Sequence, residues 1–152
     1  MAQKPDKTPL LDQQLCFAIY STSLAMSKVY RPMLDKLGVT YPQYLVLMAL
    51  WNQDQVTVSE IGHQVFLDSA TLTPLLKRME TAGLLQRARS AQDERQVIVS
   101  LTPAGREMQK EAKEIMSSIL CATQCSMEEA AALKNQLVAL RNNLEKSMQS
   151  SK

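Results

Sequence analysis

Cys16 and Tyr20 are the first side chains in this 152-residue sequence whose types and spacing could support chemistry. Because they are four residues apart, they share one face of the helix that we predict over residues 10–37. A cysteine reacts with a peroxide as its thiolate, and at an ordinary thiol pKa near 8.5 only about 3% of it is ionised at pH 7. Phenols that donate hydrogen bonds favour the thiolate, by at most about 30-fold. The pair is therefore a candidate redox-active thiol.

Tyr30 and Tyr41 could join this pair only from a second chain. Tyr30 returns to within roughly 40° of the helical face of Cys16, but it lies about 21 Å farther along the axis. Two such helices packed antiparallel across a dimer axis would bring Tyr30, and Tyr41 just after the helix, to the Cys16 of the other chain. The simpler interpretation is a small core cysteine with tyrosines filling an interface, and residue chemistry alone favours it.

Cys121 and Cys125 are one helical turn apart near the end of the sequence. Their spacing is compatible with metal binding, but the one histidine, His63, falls in another predicted helix and no fourth ligand is evident, so no metal or other cofactor is predicted. A disulfide within one intact helix is not expected, because the two side chains do not point at each other. The simpler interpretation is that both are buried apolar residues.

The segment from Ser69 to Thr102 reads as a helix followed by a β-hairpin. We predict that Gly83 ends the helix in the left-handed conformation, and that strands over residues 84–89 and 96–101 flank a polar tip over residues 90–95. The apolar residues at helical spacing are Leu72, Leu75, Leu76 and Met79.

The opposite helix face and the hairpin carry hydroxyls and cations, which suit base edges and phosphates. The candidate DNA-binding residues are Ser69, Thr71, Thr73, Pro74, Lys77, Arg78, Arg87, Arg89 and Arg95. Five basic and three acidic residues lie between Ser69 and Arg95, so the net charge of +2 of the whole chain falls here. For the helix alone, an ordinary solvated face is an equally good interpretation.

This segment resembles the winged helix-turn-helix of MarR-type transcriptional regulators. Residues 93–102 read DERQVIVSLT and match the family signature D-x-R-x-x-x-x-x-L-T. The resemblance implies a recognition helix in the DNA major groove, a wing whose Arg95 reaches the minor groove or the backbone, and an Asp93 that braces the wing.

Residues 11–51, which begin LDQQLC, resemble the organic hydroperoxide sensors of this family, called OhrR. In those sensors tyrosines hold a reactive cysteine, and these residues match Cys16, Tyr30 and Tyr41, with Tyr20 nearby. Some members use a second cysteine to attack the sulfenic acid on the opposite subunit and form an intersubunit disulfide. The resemblance gives that role to Cys121 first and Cys125 second.

Mostly helical elements must position these side chains. Residues 1–9 are predicted to be a flexible arm, followed by one helix over residues 10–37 that Pro32 bends or tightens. A nearly completely buried helix then starts at Tyr41-Pro42. The fold prediction is mainly α with a small β-hairpin, in one MarR-type domain over residues 1–152.

The winged helix-turn-helix part is predicted over residues 56–102. Val56–Val58 would be extended, and Ser59 would cap a supporting helix over residues 60–66 that crosses the DNA backbone. A turn containing Asp68 then leads to the recognition helix.

After the wing, a Thr102 cap and Pro103 open a helix that we expect to continue to about Cys125. Ser126 caps a last helix over residues 127–149. Its apolar stripe comprises Leu133, Leu137, Leu140 and Leu144. One chain cannot easily bury such outer stripes, so residues 10–37 and 103–149 are predicted to be dimerisation helices, which suits a palindromic DNA operator.

No stretch is apolar for long enough to span a membrane, and no secretory signal is evident, so a cytoplasmic protein with reduced cysteines is expected. The predicted function is a dimeric repressor that releases DNA when organic hydroperoxides oxidise Cys16, rather than an enzyme. One alternative is a MarR-type repressor released by a phenolic or carboxylate ligand. A thiol peroxidase is the other, although the nearest arginine in sequence, Arg31, offers no clear support for the leaving oxygen.

Overall fold

The structure is a computed structural model that describes residues 8–150. The first seven residues of the predicted N-terminal arm lie outside the described part. The chain divides into two compact units between Lys110 and Glu111. The helices are α1 (Leu15–Leu37), α2 (Tyr41–Asn52), α3 (Val58–Val65), α4 (Ser69–Thr81), α5 (Pro103–Glu107), α6 (Gln109–Thr123) and α7 (Met127–Ser150). The strands are β1 (Val56–Thr57), β2 (Leu85–Arg89) and β3 (Val97–Leu101).

The first long helix begins later than the sequence predicted. Leu11–Gln13 form one 3-10 turn, and Gln14 then adopts an extended conformation with φ −88° and ψ 124°. This break separates the turn from α1, so the single helix predicted from Leu10 was wrong at its start. The helix continues past Pro32 to Leu37 and ends at Gly38, whose φ of 73° is a left-handed conformation that glycine adopts without strain.

Two capping boxes fix the starts of α2 and α3. The Thr40 hydroxyl accepts a hydrogen bond from the Gln43 N–H, and Pro42 lies in the first turn of α2 as predicted. Thr57, not Ser59, caps α3: its hydroxyl accepts from the Glu60 N–H at 3.1 Å, and the Glu60 carboxylate accepts from the Thr57 N–H at 2.6 Å. Only a cap at this position places a glutamate at the third helical residue, where it can complete the box.

The predicted hairpin is present and gains a third strand. All neighbours are antiparallel in the order β1-β3-β2. Val56 of β1 pairs with Val99, while Leu85 pairs with Leu101 and Arg89 with Val97. The two residues of β1 are too few to show an alternating pattern in sequence, so this part of the chain was predicted only as an extended piece.

The core lies where α2, α3 and α4 pack with the sheet. The residues buried to below 2% exposure are Val46, Leu47, Leu50, Ile61, Leu72, Leu76, Met79, Leu85 and Val99. The stripe predicted on α4 is confirmed, because Leu72, Leu75, Leu76 and Met79 are all buried. Each such side chain contributes roughly 1.5–3 kcal/mol on removal from water, which fixes α4 on the core with its other face outward.

The helix predicted from Pro103 to about Cys125 is interrupted and shorter than expected. It breaks at Met108, between α5 and α6, and α6 ends at Thr123. Gln124 follows with a φ of 55°, a left-handed conformation that stops the helix. Cys125 therefore lies in the turn before α7. The cap of α7 is as predicted: the Ser126 hydroxyl accepts from the Glu129 N–H at 3.1 Å.

Candidate functional site

Helix α4 presents most of the predicted contact side chains to solvent. Its cap is Asp68, whose carboxylate accepts a hydrogen bond from the Thr71 N–H at 2.8 Å, and this bond lowers the pKa of Asp68. The helix runs without a break through Pro74, which lies near enough to the start to be tolerated. Thr73 is half-buried; the exposed candidates are Ser69, Thr71, Pro74, Lys77 and Arg78.

The tip of the hairpin is built by side chains that accept from backbone N–H groups. The Ser90 hydroxyl accepts from the Asp93 N–H at 3.3 Å. The Asp93 carboxylate accepts from both the N–H and the Nε of Arg95, each at 3.1 Å. The Arg95 side chain is nevertheless 91% exposed, so its guanidinium projects from the tip while Asp93 holds its base. Arg89 is also exposed and donates to the Glu94 carbonyl at 3.3 Å.

Arg87, a predicted DNA-binding residue, lies in the middle of β2 opposite Val99, away from the tip. Its Nε and Nη2 donate to Oε2 of Glu80 at 3.1 and 2.9 Å, and its backbone N–H donates to Oε1 of the same carboxylate at 2.9 Å. These bonds, the backbone one foremost, lower the pKa of Glu80. Arg87 is thus bound to α4 within the chain, unlike Arg89 and Arg95.

Asp54, which sequence reasoning missed, ties the base of the hairpin to α5. Its carboxylate accepts from the Leu101 N–H at 2.9 Å, the Gln55 N–H at 2.8 Å and the Arg106 Nη2 at 2.8 Å. Burial raises the pKa of Asp54, but the hydrogen bonds from Arg106, Leu101 and Gln55 outweigh it, and the pKa is lowered.

A second connection at the hairpin base runs from α2 to α5. The Trp51 indole N–H donates to the Gly105 carbonyl at 2.9 Å, and the Thr102 hydroxyl donates to the Gly83 carbonyl at 2.6 Å. A Cβ at Gly105 would collide with the Leu84 carbonyl oxygen, so only glycine fits this close approach. The hairpin is therefore held at its base from two sides.

Cys16 is exposed on α1, as is Tyr20 at 61%. The simpler interpretation of Cys16 as a core residue is therefore wrong for the single chain. Other exposed apolar side chains of α1 are Leu15, Phe17, Ile19, Leu24 and Val29. Only Leu34 of this helix is buried.

Tyr30, Tyr41 and Tyr44 form one aromatic group, the tyrosine cluster. The Tyr30 ring centroid is 4.9 Å from that of Tyr41 and 6.2 Å from that of Tyr44, a member that sequence reasoning missed. Burial, and then the neighbouring Tyr41 and Tyr44, raise the pKa of Tyr30 to about 12. Its hydroxyl therefore stays protonated, as a hydrogen-bond donor, at neutral pH. Within residues 8–150, none of the three hydroxyls has a hydrogen-bond partner.

The structure does not bring Cys16 to the tyrosine cluster of its own chain. Cys16 and Tyr30 lie on the same continuous helix, α1, and the rise along it separates them by about 21 Å.

The late cysteines are more accessible than the simpler interpretation required. Cys121, on α6, is exposed, and Cys125 is half-exposed with its Sγ 3.6 Å from the Thr123 carbonyl. In the single chain neither cysteine is buried, so the simpler interpretation of two buried apolar residues does not hold there. In the described part of the chain, no group of three or more His, Cys, Asp or Glu residues is placed to hold a metal ion.

Helix α7 has no buried residue. Three leucines of its predicted stripe, Leu133, Leu137 and Leu144, are 52%, 45% and 57% exposed, and Leu140 is half-buried. Over residues 8–150, no helix combines the length and apolar character needed to cross a bilayer.

Comparison with known families identifies this arrangement. Residues 28–116 match the family described as Transcriptional regulator SarA/Rot. The chain belongs to this family. The family is MarR-like, with a winged-helix fold, so the predicted architecture is confirmed: α3 and α4 form the helix-turn-helix, and β2, β3 and the tip between them form the wing.

One relative is the organic hydroperoxide resistance transcriptional regulator of Bacillus subtilis strain 168. It is 48% identical over 134 residues, which cover 88% of this chain and 91% of the relative. The predicted resemblance to organic hydroperoxide sensors is therefore confirmed at the level of sequence.

Two solved structures of the protein AbfR, which is found in Staphylococcus epidermidis, are also similar. The structure of reduced AbfR bound to DNA has a TM-score of 0.76 and 35% identity, and covers 91% of this chain and 94% of that one. The structure of disulfide-formed AbfR has a TM-score of 0.65 and 38% identity, and covers 86% and 91%.

Proposed function

We propose that this protein is a dimeric, redox-sensing, DNA-binding repressor that works in the cytoplasm. In this proposal an organic hydroperoxide oxidises Cys16, an intersubunit disulfide to a C-terminal cysteine follows, and DNA is released from a gene for peroxide resistance. The similarity to a hydroperoxide resistance regulator supports the oxidant. The AbfR structures, one reduced on DNA and one with a disulfide, support the switch.

One observation of this structure carries the proposal. Cys16 is exposed, and the protonated phenols of the tyrosine cluster have no hydrogen-bond partner. The thiol and the phenols that could stabilise its thiolate lie at distant points of one chain. Because α1 is a continuous helix between Cys16 and Tyr30, only a second α1 running antiparallel can join them. The exposed apolar side chains of α1 supply the surface for that packing.

The chemistry proceeds in two balanced steps. The Cys16 thiolate attacks the peroxide ROOH, the O–O bond breaks, and the products are Cys16–SOH and the alkoxide RO⁻, which takes a proton to become ROH. A second thiol, from Cys121 or Cys125 of the other chain, then attacks the sulfenic sulfur, forms the disulfide and releases water. Tyr20, Tyr30 and Tyr41 would donate hydrogen bonds to the thiolate before the first step.

The DNA-binding surface consists of α4 and the wing. The hydroxyls and cations of α4 would contact base edges and phosphates in the major groove, and Arg95 would reach the backbone or minor groove. The proposed contacts are Ser69, Thr71, Thr73, Pro74, Lys77, Arg78, Arg89 and Arg95. Asp93 braces the tip, and Arg87 is left out because its guanidinium is bound to Glu80.

A non-reducing gel run beside a DNA-binding assay tests the proposal. The wild type and Cys16→Ser, Cys121→Ser and Cys125→Ser are treated with stoichiometric cumene hydroperoxide, and binding is measured to the DNA upstream of the protein's own gene. We expect a covalent dimer that requires Cys16 and one late cysteine, with loss of DNA in step.

Other outcomes would overturn the proposal in whole or in part. If DNA release requires Cys16 but no covalent dimer forms, the oxidised form that releases DNA is a sulfenate or a mixed disulfide, and the proposed intersubunit disulfide is wrong. Release by a phenol or carboxylate in Cys16→Ser would make the protein a ligand-gated repressor. Sustained consumption of peroxide with a thiol reductant would make it a peroxidase.

A further inference from the structure

Glu80 and Arg87 form an ion pair that joins α4 to β2 through three hydrogen bonds. All three donors to the Glu80 carboxylate come from Arg87: the backbone N–H at 2.9 Å, Nε at 3.1 Å and Nη2 at 2.9 Å. The side chains are 22% exposed for Arg87 and 36% exposed for Glu80. Two guanidinium donors of Arg87 reach Oε2 while its backbone N–H holds Oε1, so the carboxylate is fixed at both oxygens.

The pair connects the two parts of the proposed DNA-binding surface, α4 and the wing. Glu80 lies in the last turn of α4, and Arg87 lies in the middle of β2, opposite Val99. Arg87 also lines a groove of about 210 Å³ between α3, α4 and the wing. The other residues lining this groove are Thr57, Val58, Ser59, Thr73, Leu76, Arg95, Gln96 and Val97. The Glu80–Arg87 pair therefore bridges the recognition helix and the wing beside the space that separates them.

A winged helix-turn-helix needs a fixed separation between the two elements that contact DNA. The recognition helix enters the major groove while the wing reaches the adjacent backbone or minor groove, so both fit only when the wing keeps its angle to the helix. Strand β1 pairs with β3 only at Ile98 and Val99, so toward the tip the wing is a two-stranded hairpin, which alone is marginally stable. The wing of this protein is held at its base by Asp54 and Trp51, and on the side of α4 by Arg87.

We infer that the Glu80–Arg87 pair is a clamp that sets the separation of the wing from the recognition helix, and that Arg87 assists DNA binding by positioning the wing rather than by contacting a phosphate. This inference rests on the proposed DNA-binding function. It makes Glu80, an acidic side chain near a polyanion, necessary for tight binding.

The direction in which Glu80→Gln changes the DNA affinity therefore tests the inference. If Glu80 acted only through its charge, Glu80→Gln would remove a repulsion and tighten DNA binding. If Glu80 holds the wing, the same change weakens binding. Arg87→Lys provides a matched test, since it keeps the positive charge but loses the planar guanidinium whose Nε and Nη2 both donate to Glu80.

The experiment measures the DNA dissociation constant at several salt concentrations, again with the DNA upstream of the protein's own gene. For Glu80→Gln and Arg87→Lys we expect binding to weaken roughly tenfold, the order of coupling between contacting residues. The slope of log K against log salt should stay as in the wild type. Lys77→Gln, at an exposed cation of α4, should lower that slope by about 0.9, as the loss of one phosphate contact does.

Two further variants separate a clamp from a general loss of structure. Glu94→Gln changes the same charge at the exposed wing tip and should not weaken binding. The exchange variant Glu80→Arg/Arg87→Glu should recover affinity relative to Glu80→Arg alone, because it restores the pair in reverse. Thermal unfolding by circular dichroism identifies any variant that fails to fold.

The inference falls if Glu80→Gln binds as tightly as the wild type or more tightly, or if Arg87→Lys and Arg87→Met differ in salt slope by about one phosphate contact. A wild-type protein that binds no DNA at low salt would instead overturn the proposed function.

Discussion

The Cys16 thiol lies among apolar neighbours on its helix, and its proposed partners are neutral phenols rather than cations. Leu15 and Phe17 flank it in sequence, and both are exposed in the single chain. Ionisation of the thiol can raise its reactivity by at most about 30-fold over an ordinary cysteine at pH 7. Under the proposed function, selectivity for organic peroxides would come from apolar contact between these neighbours and the organic group of the peroxide.

Replacing Tyr30 by Phe should slow the reaction of Cys16. The change removes a hydroxyl that is protonated at neutral pH, and a hydrogen bond to a charged group contributes about 1.5–3 kcal/mol. We expect alkylation of Cys16 by iodoacetamide at pH 7, and its oxidation by cumene hydroperoxide, to fall roughly tenfold, below the 30-fold ceiling.

Tyr44→Phe is the matched control for this prediction. Tyr44 belongs to the same cluster but is only 2% exposed, so a second chain cannot reach its hydroxyl. Its removal should leave the rate within about twofold of the wild type. If Cys16 reacts at the same rate in the wild type and in Tyr30→Phe, the tyrosine cluster does not donate a hydrogen bond to the thiolate.

At the scale of elements, short-range sequence patterns predicted most of the winged helix-turn-helix. The α4 stripe, Gly83, the hairpin, and the caps at Thr102 and Ser126 are all set by residues within a few positions of one another. The failures come from two causes. Where two local signals compete, as with Thr57 and Ser59, spacing to Glu60 decides. Where a contact joins distant elements, as with Trp51 and Gly105, no local pattern records it.

At the site itself, the Glu80–Arg87 pair and the tyrosine cluster are contacts between elements distant in sequence, which no local pattern predicts. Arg87 reads in sequence as one more cation of a basic hairpin, and only its position opposite the last turn of α4 pairs it with Glu80. Tyr44 reads as a core residue of α2, and only the packing of α1 places it 6.2 Å from Tyr30. The residue types were thus predictable, whereas the partners depend on tertiary packing.

The α3 cap gives a direct test at this scale. Thr57→Ala should lower the free energy of unfolding by about 1 kcal/mol, because it leaves the Glu60 N–H without its partner. Ser59→Ala, two residues away, should change it by less than about 0.5 kcal/mol. Urea unfolding of both variants checks the assignment, and a larger loss from Ser59→Ala would restore the cap first predicted from the sequence.

Across the whole molecule, lowered carboxyl pKa values link stability to pH. Hydrogen bonds from backbone N–H groups hold the pKa values of Glu60, Asp68 and Glu80 below their ordinary range, and the bonds to Asp54 do the same against its burial. A depressed folded-state pKa contributes stability that is present above the unfolded-state pKa and is lost as the pH falls through the folded-state value.

We therefore expect the urea midpoint to be nearly constant from pH 7 to about pH 5 and to fall below about pH 4.5, where unfolded glutamates and then aspartates take up protons. Glu80→Gln should show a shallower fall, since one of the four groups no longer titrates. A midpoint that rises on acidification would contradict these assignments.

The switch also has an energy requirement at this scale. Moving DNA occupancy from 99:1 to 1:99 needs about 5.5 kcal/mol of bias, whereas a disulfide typically contributes about 2–4 kcal/mol. Under the proposed mechanism, oxidation must add strain or rearrangement to the cross-link itself.

The positions of Cys16 and Cys121, near the two ends of the sequence, give this cross-link a particular topology. In an oxidised dimer with two Cys16–Cys121 bonds, the two chains close into a single covalent ring. Each wing and recognition helix then lies within the ring, and only the segments before Cys16 and after Cys121 remain outside it. Oxidation would thus place the DNA-binding parts of both chains in one closed covalent ring.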